Sequence, residues 1–77
     1  MAPTVLRTRN MRVVVYPSDH QPPHVHVIGP EAEAKFRIED LHCFYCRGFT
    51  RRHIEELRAF LEPRKDQLKE AWETYHE

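Results

Sequence analysis

The chain has 77 residues, 40% of them hydrophobic and 31% charged, with Lys plus Arg equal to Asp plus Glu at 12 each. That length is read as one domain over residues 1–77, and the composition is that of a folded globule and not of a disordered chain. The neutral balance excludes a strongly cationic, non-specific nucleic-acid binder, although a neutral chain can still present one basic face. A domain this small buries only about 60% of the surface its unfolded chain exposes, so a partner chain, or a second copy in a homodimer, would add stability. Two cysteines are too few for a disulfide framework, no apolar leader opens the chain, and no run nears the roughly 18 apolar residues of a membrane span. These features point to a cytoplasmic protein with no membrane contact.

Strands are expected over about residues 3–46 and helices over about residues 50–76. "PTVLR" is short and extended, and Arg9-Asn10 suits a turn. "MRVVVYP" is rich in β-branched residues and stops at Pro17. After the polar loop "SDHQPP", "HVHVI" alternates with period two and ends at the turn pair "GP". "AEAKFRI" alternates again, with Ala32, Ala34, Phe36 and Ile38 on one face, and "LHCFYC" supplies a last strand. Short connections favour an antiparallel meander. Gly48 breaks the strand, Thr50 suits an N-cap, and Ile54, Leu57, Phe60 and Leu61 recur at helical spacing. Pro63 is expected as the first residue of a second helix with a stripe of Leu68, Ala71, Trp72 and Tyr75. The expected fold is α+β: an antiparallel sheet of three to five strands followed by two helices packed on one face.

Chemistry concentrates in "DHQPPHVHV", residues 19–27. The chain holds six histidines, a side chain that ordinarily titrates near neutral pH. Pro22 and Pro23 stiffen the loop and set its line of entry into the strand. Alternation puts His24 and His26 on one face, their Cα atoms about 6.5 Å apart. Val25 and Val27 then face the core, which leaves the histidines on the wetter side. Three uses compete. The histidines are plain strand residues, or they trade a proton across a phosphodiester with Asp19 orienting His20 or another ring and Arg9 or Arg12 holding phosphate oxygens. The third use is a metal site, since His-x-His on a strand chelates zinc and related ions.

Cys43 and Cys46 sharpen the metal reading, because His24, His26, Cys43 and Cys46 together make a tetrahedral zinc set. Against it, Phe44-Tyr45 prefers a straight strand, on which residues three apart point to opposite faces. Arg51 and Arg52, with Arg47 close by, crowd a predicted helix N-terminus, where backbone N–H groups attract anions and cations oppose the dipole. Phe44 and Tyr45 sit on opposite faces of an end strand, so one of them is exposed near an edge that could pair with another chain.

"PTVLR", the string Y-x-x-D-H-x-P-P-H-V-H-V from Tyr16 to Val27, "EAKF" at 33–36, "GFT" at 48–50 and "LKEAWETY" at 68–75 together resemble the domain-of-unknown-function 4160 family, small bacterial and phage proteins. The resemblance spans nearly the whole chain and implies a small α+β domain. It also implies a gene neighbour carrying a 2442-type domain of unknown function, and hence a two-gene toxin–antitoxin-type module. Its recurring positions fall on Asp19, His20, Pro22, Pro23, His24 and His26. The cysteine pair departs from that pattern, so a zinc site using it would be peculiar to this protein. The reading that follows is a toxin-like component acting on RNA as a small ribonuclease. It would need no cofactor, with His24, His26, His20 and Asp19 catalytic and Arg9, Arg12, Arg51 and Arg52 binding the substrate. The competing class is a non-catalytic protein- or nucleic-acid-binding module, an antitoxin or regulator, with zinc as its alternative cofactor.

Overall fold

A computed structural model describes residues 4–8 and 10–76. The chain forms β1 (Thr4–Arg7), β2 (Arg12–Val14), β3 (His24–Gly29), β4 (Ala32–Arg37), β5 (Cys43–Arg47), α1 (Arg51–Leu61), a 3₁₀ turn (Glu62–Arg64) and α2 (Lys65–Tyr75). The strands make one open sheet in the order β1-β2-β3-β4-β5, with every neighbouring pair antiparallel, as the short connections predict. The fold is the expected α+β arrangement.

Register decides which face each side chain takes. Val13 pairs with Val27, Val25 with Phe36, and Val27 with Ala34, which lines one face with aliphatic and aromatic groups. Ile54, Leu57 and Leu61 of α1 and Leu68 and Trp72 of α2 join those residues in one buried cluster. Both helices therefore cover the Val25 face. The other face of β2 and β3 carries Val14 opposite His26.

Local chemistry fixes the boundaries. Thr50 caps α1: its Oγ1 accepts from the His53 N–H, and the Thr50 N–H donates back to His53 Nδ1. Gly48, at φ 84°, turns the chain out of β5, and a Cβ there would stand 2.6 Å from the Glu31 carbonyl oxygen. Three expectations need correction. β2 ends at Val14, before the expected stop at Pro17, although Val15 remains in the core. Pro63 sits inside the 3₁₀ turn instead of opening α2, because residues 62–64 tighten to join the two helices without a loop. Tyr75, placed on the apolar stripe, is 43% exposed, because the last turn of α2 runs out beside Thr4 and Val5 at the sheet edge. No helix among the described residues is long and apolar enough to cross a membrane.

Candidate functional site

β3 places His24 and His26 on the same face, as alternation requires, but that face is not wet. The two residues are 8% and 6% exposed. The burial comes from the segment between β2 and β3, which brings Asp19 back onto the rings. Asp19 Oδ2 lies 2.8 Å from His26 Nε2 and 3.2 Å from His24 Nε2. The two ring centroids are 5.2 Å apart. Tyr16 meets His26 edge-on at 4.5 Å, and Phe44 and Trp72 stand 5.4 and 5.5 Å from His24. Of the three imidazoles expected to converge, His24 and His26 meet, without His20 and inside an aromatic shell in place of open solvent.

The far nitrogen of each ring is also held. His24 Nδ1 lies 2.9 Å from the Pro22 carbonyl oxygen, which only accepts, so Nδ1 carries the proton and donates. His26 Nδ1 lies 3.2 Å from Glu33 Oε2, so this ring has a carboxylate at each nitrogen. Behind Asp19, its carbonyl oxygen lies 3.2 Å from His76 Nε2, and the His76 ring stacks on Trp72 at 3.6 Å. The end of α2 is thereby tied to the loop that carries Asp19.

The other predicted residues do not gather there. His20 is exposed and stands outside the cluster, because the turn that aims Asp19 inward, closed by the Asp19 N–H to the Tyr16 carbonyl at 3.1 Å, leaves the next residue pointing away. Arg9 lies outside the described residues. Arg12 is exposed and pairs in register with Arg7 and Ile28, toward the far end of β3. Arg51 and Arg52 are exposed on the first turn of α1, over the opposite sheet face, and Arg52 Nε meets Glu56 at 3.3 Å.

Nor does the four-ligand set of His24, His26, Cys43 and Cys46 form. A register shift between Lys35 and Phe36 sets Cys43 opposite Phe36 and Cys46 opposite Ala34. Both thiols therefore share the Phe36 face, against the straight-strand expectation, and that is the face away from the histidines. Cys43 Sγ donates to the Tyr45 carbonyl and Cys46 Sγ to the Phe49 carbonyl. Burial pushes the Cys43 thiol up from its ordinary value. What sequence reading missed is Glu33, Tyr16, Trp72 and His76. Glu33 had a signal: in "AEAKFRI" it alternates away from Ala32 and Ala34, onto the face of the histidines. His76 had none, since it meets Asp19 from 57 residues away.

The arrangement offers one carboxylate oxygen and two imidazole Nε2 atoms, one ligand atom from each residue, all within 4.8 Å of one another. No curated protein and no solved structure matches the chain. A family model described as a domain of unknown function (DUF4160) matches residues 10–73, a span that holds Tyr16, Asp19, both clustered histidines, Glu33 and Trp72. The chain belongs to that family.

Proposed function

We propose that the protein is a non-catalytic, partner-binding component of a two-gene toxin–antitoxin-type module, an antitoxin or regulator that binds the protein encoded by the adjacent gene. The observation that carries this reading is β5. It is the last strand of the sheet, and its outer edge pairs with no strand among the described residues. Phe44 and Tyr45 on it are 48% and 39% exposed, and Arg47 is exposed as well. Aromatics and arginine on an open edge suit addition of a partner's strand, in which main-chain hydrogen bonds give affinity and side chains give selectivity. The gene context implied by the family supplies the candidate partner.

Proton transfer on RNA, the other reading of the histidines, draws less support from the site. Both Nε2 atoms face Asp19, and rings 8% and 6% exposed leave a phosphodiester little approach. The test is co-purification of the full chain with the adjacent gene's product, run beside an RNA-cleavage assay on the free protein. The expected result is a stable complex, weakened about tenfold or more by Tyr45→Glu combined with Arg47→Glu, and no cleavage. Cleavage that disappears in His24→Ala would replace this reading with the ribonuclease one.

A further inference from the structure

We infer that Asp19, His24 and His26 hold a divalent first-row transition ion of the zinc type. The inference does not depend on the partner-binding reading. It starts from a count of donors and acceptors. The Pro22 carbonyl only accepts, so His24 carries its proton on the outer nitrogen; His26 has a carboxylate on each side, Glu33 at 3.2 Å from Nδ1 and Asp19 at 2.8 Å from Nε2, and turns a free Nε2 inward when its proton sits toward Glu33. With neutral rings, His24 Nε2 and His26 Nε2 then present lone pairs, and both are aimed at Asp19 Oδ2, which also presents lone pairs, at 3.2 and 2.8 Å. Three acceptors meeting at one point require something positive between them.

Protons fill that role poorly. One added proton answers one of the two contacts and leaves the other acceptor facing acceptor. Two added protons place two cationic rings 5.2 Å apart in a buried site, sharing one oxygen of Asp19, with Glu33 beside only one of them. One metal ion answers all three lone pairs at once. Ligand atoms about 2.0–2.1 Å from a tetrahedral ion stand about 3.3 Å from one another, against contacts of 3.2 and 2.8 Å from Asp19 to the two rings and a span within 4.8 Å for the three ligand atoms, so a small closure of the rings and a small retreat of Asp19 seat the ion. The outer contacts are those of a metal-bound histidine: a backbone carbonyl on one ring and a carboxylate on the other, each accepting from the Nδ1–H of the tautomer that frees Nε2. Two imidazoles and a carboxylate match zinc, iron(II), cobalt(II) and nickel(II), and not the all-oxygen preference of calcium or magnesium. Three protein ligands leave a fourth position for water or another small donor.

Metal-stripped full-length protein titrated with Co²⁺ and then Zn²⁺ tests the inference. The expected result is one equivalent of Co²⁺ with a visible d–d absorption band, displaced by one equivalent of Zn²⁺, and a higher Tm with Zn²⁺ present. Glu33→Ala should keep the fold and weaken Zn²⁺ binding about 10- to 100-fold. His26→Ala should abolish uptake. Cys43→Ser with Cys46→Ser, and separately His20→Ala, should bind as the parent does. Folded parent protein that takes up less than about a tenth of an equivalent, with no change in Tm, holds protons only and overturns the proposal. So does uptake that follows the cysteines. Should His26→Ala fail to fold, the parent titration and Glu33→Ala still give the answer.

Discussion

Asp19 serves two imidazoles with a single oxygen, and that economy makes it the residue most exposed to test. In Asp19→Ala the bound ion that answers both Nε2 lone pairs loses its carboxylate ligand, inside a site where water enters poorly. A buried polar atom left unsatisfied costs about 1–3 kcal/mol. Urea denaturation of Asp19→Ala should show a loss of at least that size, and a smaller loss would mean that the rings find other partners. A second carboxylate gives a pH signature. The Arg37 guanidinium, which pairs with Asp40, and the His42 N–H hold the Asp40 carboxyl well below its usual range. Its folded-state value is depressed, so its contribution to stability is present at neutral pH and fades as pH falls below the ordinary aspartate value of 3.8. The gap in Tm between the parent and Asp40→Asn should accordingly narrow between about pH 4 and pH 2. A gap that stays constant over that range would remove the Arg37–Asp40 pair from the account. The pair is exposed, so the gap itself will be small.

At the level of elements, the passage from β5 into α1 concentrates the backbone constraints. Gly48 takes a left-handed conformation and lies against the chain at Glu31 and Ala32. An alanine there meets both a strained φ and a carbonyl oxygen at 2.6 Å. Gly48→Ala should lose about 1–3 kcal/mol by chemical denaturation. Two residues on, Thr50→Ala should cost about 1 kcal/mol through loss of the cap on His53. If Gly48→Ala were neutral, β5 would be able to leave the sheet along another path. The bulge in the same strand matters equally, because it turns Cys43 and Cys46 to one side and away from the histidines.

For the molecule as a whole, the small core leaves little to spare. Leu61 and Leu68 are fully buried where the two helices meet the sheet, and Tyr75 stands at the rim. Leu61→Ala should cost about 2–5 kcal/mol, enough to unfold much of a domain of this size. Tyr75→Ala should stay within about 0.5 kcal/mol of the parent. Thermal melts of the two variants side by side check the contrast, and equal losses would mean that the end of α2 carries more of the core than its exposure suggests. Helices cover one face of the sheet, and on the other the loop before β3 covers His24 and His26 while Tyr45 stays exposed. Its two long edges, β1 and β5, remain as the strands from which association with another chain can begin.

Period-two alternation in "HVHVI" and "AEAKFRI", helical spacing of Ile54, Leu57 and Leu61, and Thr50 as a cap were all legible in the sequence, because each is a pattern of near neighbours. The same alternation placed His24 and His26 side by side. It could not tell whether their face was wet, since that depends on where a loop folds, and the Tyr16–Pro23 loop folds onto them. Glu33 reaching His26, and His76 reaching the carbonyl of Asp19, are contacts between residues distant in the chain. The faces taken by Cys43 and Cys46 turned on a one-residue shift in pairing that no local propensity encodes. Sequence determined the elements and the residue types brought to the site. Tertiary structure alone decided burial, partners and convergence, because these are set by register and by long-range closure.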